Sequence, residues 1–133
     1  GLPHAPEDVI AVPPELAAAF SPPELDSSSL SALRARIKSG VRAWIASSYV
    51  LAQAVTHALR ASGRAVPADV AVAGLHGGTR VAVPGGIHPT SYETDDESLG
   101  AAAVHLLDHR VLRAIPAPAT LLLPGRLVPG ETT

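Results

Sequence analysis

Residues 41–77 of this chain read VRAWIASSYVLAQAVTHALRASGRAVPADVAVAGLHG and predict a strand, a helix and a second strand. The short apolar run VRAWIA at the start is typical of a buried parallel strand. Leu51, Val55 and Leu59 recur at helical spacing, which predicts a helix with one buried face. Val70 to Ala73 form a second buried apolar run. Because a helix joins the two strands, we expect them to be parallel neighbours in one sheet.

A short polar loop follows each of these two strands. In parallel neighbours both loops lie at the carboxyl edge of the sheet, which is where open α/β sheets bind ligands. Serine hydroxyls directly before a helix also serve as N-caps, and we expect at least one serine of the first loop to do so. The sequence therefore predicts a ligand site from the two loops, at Ser47, Ser48, Tyr49, His76 and Gly77.

The chain before this segment contains a predicted strand and a predicted helix. Val9 to Val12 are apolar and are followed by two prolines, which predicts a short strand. Residues 26–29 offer N-cap side chains, and Leu30, Leu33 and Ile37 continue at helical spacing. These elements extend the alternation of strands and helices towards the start of the chain.

The chain after this segment continues the alternation. Ile87 to Glu93 predict a strand, and Thr94 with Glu97 three residues later has the spacing of a capping box. Leu121 to Leu123 predict the last strand, and we expect the tail beyond Pro129 to be frayed. The predicted class is a single α/β domain over residues 1–133, with a mostly parallel sheet and flanking helices. The helix after Thr94 carries a mostly apolar face at Leu99, Ala103, Leu106 and Leu107.

Composition narrows the possible functions. The 133 residues have a formal net charge of −2 and no basic stripe, which argues against nucleic-acid binding by this chain itself. No cysteine is present, which excludes disulfides and thiolate metal sites and is typical of a cytoplasmic protein. No apolar run is long enough to cross a bilayer. Because the chain contains no methionine, we expect Gly1 to be a cut or processed end.

Several stretches resemble the lactose/galactose repressor family of bacterial transcription regulators. Residues 63–77, GRAVPADVAVAGLHG, are similar to the family pattern G-x-x-VP-x-D-v-s-v-v-G-f-D. Residues 44–60 lie where that family has a strand, the pattern a-N-D-x-m-A-x-G and a helix. The order and spacing of the similar stretches cover nearly the whole chain. Further similar stretches are the opening linker and strand at 1–12, the crossover strand at 88–92, the following helix at 95–107 and the closing segment at 119–133.

The resemblance implies a fold and a function. The fold is the carboxyl-terminal subdomain of a type I, periplasmic-binding-protein-like domain, incomplete here, with the DNA-binding headpiece outside this chain. The function is ligand sensing in a cytoplasmic repressor-like regulator. A sugar-like or nucleoside-like effector binds in the cleft between two subdomains and modulates operator binding. DNA is contacted only through the headpiece, and the protein is a homodimer.

The resemblance also implies roles for individual residues. Ser48 and Tyr49 stand where the family has its Asn-Asp pair, and His76 stands where it has the Asp after v-G-f. Thr94, or its neighbour Glu93, stands near the polar residue that faces the effector at the start of the crossover helix. Serine and imidazole offer fewer hydrogen bonds to a hydroxyl than a carboxylate does. Two alternatives stay open: a different small molecule, or a site that no longer binds one.

A dimer interface is implied on the helix after the Asn-Asp position and on the loop after the second strand. The family usually has an apolar residue where Gln53 stands, so a dry contact is weakened here. The other interpretation of Gln53 is that it faces water. The residues implied for the interface are Ala52, Gln53, Thr56, Arg80 and Val83.

Other function classes are less well supported by the sequence. A serine hydrolase needs an activated serine on a tight turn, and the G-x-S-x-G pattern is absent. His105 and His109 share a helix face at a spacing that suits zinc, without a third ligand at motif spacing. A solute receptor of a transporter with the same fold is the remaining alternative. We therefore predict a protein that is not an enzyme and that has no metal and no cofactor.

Overall fold

The computed structural model describes residues 9–11, 25–75, 86–113 and 120–133. Within these ranges the chain forms three helices and four strands. The elements are α1 (Ser27–Lys38), β1 (Ala43–Ala46), α2 (Tyr49–Ala61), β2 (Ala71–Leu75), β3 (Thr90–Thr94), α3 (Asp96–Arg113) and β4 (Gly125–Val128).

The four strands form one sheet in the order β1-β2-β3-β4. β1 pairs with β2 in parallel, with Ala46 opposite Gly74. β2 pairs with β3 in parallel, with Gly74 opposite Ser91, and β4 is antiparallel to β3. The prediction of a mostly parallel α/β sheet is therefore confirmed.

The helix α2 begins and ends where its sequence predicts. The Ser48 hydroxyl accepts a hydrogen bond from the Leu51 N–H at 3.1 Å and caps the amino end of the helix. Ser62 is the C-cap, and Gly63 follows with a φ of 78°, a conformation that favours glycine. Leu51 and Leu59 are buried, as the helical spacing requires. Helix α2 therefore covers one face of the sheet.

Among the described residues, the hydrophobic core lies on one face of the sheet. Residues that alternate along the strands, such as Ala46 and Val72, point towards α2, and Leu33 of α1 belongs to the same cluster. On the opposite face, Ile45 is 77% exposed. Gly74 allows α2 to approach closely, because a Cβ there would stand 3.1 Å from the Ala52 Cβ atom.

Helix α1 is capped by a carboxylate and ends at a glycine. The Asp26 side chain accepts a hydrogen bond from the Ser28 N–H at 3.1 Å. Hydrogen bonds to this carboxylate, first from the Ser28 hydroxyl and then from Ser29, lower the pKa of Asp26 to about 2. Gly40 has a φ of 93° just after the helix. The predicted helix with Leu33 buried is confirmed.

The carboxyl-terminal tail is ordered, and the prediction of a frayed tail is wrong. Thr132 is fully buried, and its hydroxyl donates a hydrogen bond to the Val72 carbonyl oxygen. The Val72 N–H in turn donates to the Thr132 carbonyl at 2.9 Å, and the Thr90 N–H donates to the Thr132 hydroxyl at 3.0 Å. The tail thus completes the pairing of β2 and of the start of β3.

Helix α3 differs from its prediction in its cap. Asp95 is the residue that caps it, because its carboxylate accepts hydrogen bonds from the Ser98 N–H at 3.1 Å and the Ser98 hydroxyl at 2.7 Å. Thr94 belongs to β3 and donates to the Asp96 carboxylate instead. The predicted capping box is therefore wrong by one residue, since an aspartate directly before the helix is an equally good cap.

The apolar face of α3 is not covered by other described residues, so this helix does not pack on the core as α2 does. Leu99 and Leu107 are 52% and 62% exposed. The last strand is also displaced, because β4 begins at Gly125 and Leu122 stands 87% exposed before it. Residues 9–11 form no strand, and Val12 lies outside the described residues. The hydrophobic pattern alone thus indicated more buried apolar residues than the structure contains.

Candidate ligand-binding site

The carboxyl ends of three parallel strands meet at one edge of the sheet. Ala46 ends β1 and stands opposite Gly74, the residue before the end of β2. Gly74 stands opposite Ser91, and β3 runs three residues further to Thr94. That extension is about 10 Å at the rise of a strand. β3 therefore projects beyond the carboxyl ends of β1 and β2. We call this uneven arrangement of the three strand ends the stepped edge.

The two serines after β1 have different environments. Ser48 is half-buried, and its oxygen caps α2, which confirms the prediction that at least one serine is a cap. Ser47 is exposed at the end of β1. Ser47 is thus the serine whose side chain is open to a ligand at this edge.

Tyr49 does not line an open edge. Its side chain is 3% exposed, and its hydroxyl forms a hydrogen bond with His88 Nδ1 at 3.1 Å. One turn later, Gln53 Nε2 donates to the Ile87 carbonyl oxygen at 3.0 Å. Through these two hydrogen bonds, Tyr49 and Gln53 hold the segment that precedes β3 against α2. The role of Tyr49 as an effector contact stays a prediction, and the structure places its side chain inside the fold.

The dimer residues predicted on α2 are likewise buried within the chain. Ala52 and Thr56 have no exposed surface, and Gln53 is 2% exposed. Thr56 donates its hydroxyl proton to the Ala52 carbonyl oxygen, and Ala52 packs against β2 at Gly74. The structure thus places these three residues in the interior of the chain, and their role in a dimer interface stays a prediction.

Thr94 lies at the raised end of β3, beside a cavity of about 690 Å³. The cavity is lined by four carboxylates and one guanidinium, and Thr94 donates to the Asp96 carboxylate at 3.1 Å. The Ser98 hydroxyl and N–H hold the pKa of Asp95 below its usual value of 3.8. Ionised carboxylates accept hydrogen bonds from hydroxyl groups. The charged lining residues are Glu93, Asp95, Asp96, Glu97 and Arg126.

Sequence reasoning named Glu93 as an alternative to Thr94 and missed the other carboxylates as site residues. Glu93 is 8% exposed, and Arg126 from β4 donates to it at 3.2 Å. The acidic run before α3 is visible in the sequence, but its charges match the positive end of a helix and need no other explanation there. The pairing of β4 with β3, which supplies Arg126, is a long-range contact that local patterns do not contain.

Four predicted residues lie outside the described ranges: His76, Gly77, Arg80 and Val83. Their roles stay predictions.

The rings of the histidine pair on α3, His105 and His109, are 4.3 Å apart between centroids. Among the described residues, no group of three histidine or acidic side chains is arranged to hold a metal ion. Within the same ranges, every helix falls short of the length and hydropathy that crossing a bilayer requires.

A family model identifies the family to which this chain is related. Residues 3–133 match the periplasmic binding protein-like domain. The chain belongs to the periplasmic binding protein-like domain family. No curated protein sequence matches it.

Solved structures similar to this periplasmic binding protein-like domain are transcription regulators. The transcriptional regulator CelR in complex with cellobiose is 32% identical with a TM-score of 0.65, over 78% of this chain and 32% of that one. A LacI family regulator from Arthrobacter sp. FB24 in complex with lactose is 28% identical with a TM-score of 0.63, over 78% and 40%. One from Lactobacillus casei with bound sucrose is 26% identical with a TM-score of 0.53, over 68% and 33%.

The resemblance to the lactose/galactose repressor family is confirmed by these matches. The domain spans about a third to two fifths of the length of the regulators that it matches. Those relatives are regulators and not enzymes.

Proposed function

We propose that this chain is the ligand-sensing part of a bacterial transcription regulator and that it binds a small sugar-like molecule. The observation that carries the proposal is the shared carboxyl edge of β1, β2 and β3, in a domain whose relatives are solved with cellobiose, lactose and sucrose. Ligands of open α/β sheets bind at that edge. The ligand shifts the regulator between two arrangements with different affinities for its operator.

The proposed effector contacts are polar side chains at the stepped edge. The Ser47 hydroxyl offers a donor, the oxygen of Thr94, whose proton goes to Asp96, offers an acceptor, and the carboxylate of Asp96 accepts from sugar hydroxyls. The family positions of His76 and Gly77 directly follow the end of β2 in the sequence, and we propose the same role for them. The acidic groups beside Thr94 supply charged acceptors, which bind hydroxyl groups more strongly than the hydroxyl oxygens of Ser48 and Tyr49 do.

DNA binding and dimer formation are proposed for the regulator as a whole. The net charge of −2 gives this chain no electrostatic attraction to phosphates, so a separate headpiece makes the DNA contacts. A homodimer is proposed on the analogy of the family, with the interface predicted at Ala52, Gln53, Thr56, Arg80 and Val83. The cytoplasm is the proposed location, since the operator is there.

A ligand titration tests the proposal. The protein is titrated with cellobiose, lactose and sucrose, and the melting temperature and the heat of binding are followed. Stabilisation by at least one sugar is expected, because a ligand that binds only the folded state raises its stability. Thr94→Val is expected to weaken that binding about tenfold, through the loss of one hydrogen bond of about 1.5 kcal/mol.

The matched control is Thr120→Val, since Thr120 is exposed and does not line the cavity beside Thr94. This control should leave the sugar affinity unchanged. No heat and no shift with any of the three sugars would contradict the proposed effector class.

A further inference from the structure

The cavity beside Thr94 contains few hydrogen-bond donors. Among the described residues that line it, Arg126 is the only side chain with N–H groups. The ionised carboxylates accept hydrogen bonds and donate none, and the Thr94 hydroxyl proton goes to Asp96. Each hydroxyl group of a sugar donates one hydrogen bond and accepts others. In this cavity the sugar oxygens therefore depend on Arg126 for a side-chain donor.

The start of β4 holds Arg126 in a fixed place. Gly125, the residue before it, donates its N–H to the Tyr92 hydroxyl at 3.1 Å. A Cβ atom at Gly125 would overlap the Tyr92 ring, so the two strands approach closely at this point. In the register of the two strands Arg126 stands directly opposite Glu93. The main chain thus sets where the Arg126 side chain leaves the sheet.

Glu93 orients the guanidinium of Arg126 and balances its charge. The Arg126 Nη2 atom donates to the Glu93 Oε2 atom at 3.2 Å. The Glu93 side chain is 10% exposed, whereas that of Arg126 is 79% exposed. A guanidinium has five N–H groups, and this hydrogen bond uses one of them. The exposed remainder of the guanidinium is therefore open to a ligand, on a cation that an adjacent carboxylate already balances.

We propose that Arg126 donates to two neighbouring hydroxyl oxygens of the effector, an inference that rests on the function proposed above. The guanidinium presents its donors as a planar fork, and adjacent hydroxyl groups of a sugar ring offer two oxygens at a matching spacing. The carboxylates that line the same cavity accept the protons of these hydroxyl groups. A ring with a free pair of neighbouring hydroxyl groups is thus the part of the effector that this cavity recognises.

The charge balance of the cavity selects uncharged sugars over acidic ones. Glu93 already balances the charge of Arg126. Asp95 is ionised at neutral pH, because hydrogen bonds from Ser98 hold its pKa below the usual value. Two further acidic side chains line the cavity. A phosphate or carboxylate group on the sugar therefore enters a surplus of negative charge and is repelled.

Sugar affinities of two arginine variants test the contact. The chain is titrated with cellobiose, lactose and sucrose, and the heat of binding is measured. Arg126→Lys keeps a positive charge beside Glu93 and replaces the planar fork by a single ammonium group, so the affinity should fall about fivefold. Arg64→Lys is the matched control, because Arg64 is exposed and does not line the cavity. The affinity of this control should match that of the wild type.

Failure of this inference and failure of the proposed function give different results. Unchanged affinity in Arg126→Lys, with sugar binding intact, would overturn this inference alone. No binding of any of the three sugars to the wild type would contradict the proposed function and this inference together.

The charge of the ligand provides an independent test. Lactose and cellobiose are compared with their 6′-phosphates, which should bind about tenfold more weakly to the wild type. Glu93→Gln removes the balancing charge from Arg126 and should reduce this difference about threefold, because the guanidinium then attracts the phosphate. Equal binding of the sugars and their phosphates by the wild type, or an unchanged difference in Glu93→Gln, would overturn the selectivity.

Thermal melting of each variant checks that the fold is kept. Should Glu93→Gln not fold, the comparison of lactose with its 6′-phosphate on the wild type and on Arg126→Lys still decides the question.

Discussion

At the scale of single residues, Thr132 joins the tail to two strands. Its hydroxyl donates to Val72 and accepts from the Thr90 N–H, and its side chain is fully buried. Thr132→Val keeps the shape and leaves both partners without a hydrogen bond. We expect the free energy of unfolding to fall by about 1–3 kcal/mol, as measured by urea denaturation.

The control for this substitution is Thr120→Val at an exposed position. It should change the free energy of unfolding by less than about 0.5 kcal/mol. Equal effects at both positions would mean that the tail does not pair with β2.

Asp26 gives the chain a pH dependence in the acid range. Its pKa is about 2 in the folded chain, against an ordinary value of 3.8, because the Ser28 hydroxyl and Ser29 hydrogen-bond to the carboxylate. A lowered pKa stabilises the fold above about 3.8, and this stabilisation is lost as the pH falls towards 2. Asp26→Asn keeps a capping oxygen without the charge.

Urea midpoints between pH 2 and pH 6 measure this effect. The wild-type midpoint should fall more steeply with acid than the Asp26→Asn midpoint, and the two curves should converge at the low end. Parallel curves would show that the carboxylate is not held by its serine neighbours.

At the scale of secondary-structure elements, a glycine sets the distance between β2 and α2. A Cβ at Gly74 would stand 3.1 Å from the Tyr49 Cα atom and from the Ala52 Cβ atom. Gly74→Ala therefore pushes the helix away from the sheet and should cost about 1–3 kcal/mol in thermal or urea unfolding.

Gly100 in α3 is the matched position, because nothing stands within 4 Å of a Cβ there. Gly100→Ala should stabilise the chain by up to about 1 kcal/mol through helix propensity. Destabilisation by both substitutions would contradict the open surroundings of Gly100.

At the scale of the whole molecule, the core lies on one side of the sheet. Leu59 on α2 is fully buried, whereas Leu107 on α3 is 62% exposed. Leu59→Ala should cost about 2–5 kcal/mol, and Leu107→Ala should cost less than about 0.5 kcal/mol. Differential scanning calorimetry of the two variants measures this contrast. A large loss at Leu107 would show that α3 is packed in solution.

Local sequence patterns correctly predicted the elements that pack on the core. They failed for elements whose position or burial depends on long-range contacts. The spacing of Leu51 and Leu59, the Ser48 cap and Gly63 specify α2 without reference to the rest of the chain. The same reasoning gave α3 an apolar face at Leu99, which is exposed in the structure, and placed the last strand on Leu121 to Leu123, because an apolar residue does not reveal whether a partner covers it. Burial depends on what packs against a residue.

The sequence alone determined the α/β class, the parallel pair of β1 and β2, and the edge where a ligand is expected, because hydrophobic period and capping residues act locally. Only the tertiary structure decided that Tyr49 is buried and fastens His88, that Arg126 reaches Glu93, and that the tail pairs with β2. Each of these contacts joins residues more than 30 positions apart. Their geometry follows from strand register and helix packing, which no local pattern contains.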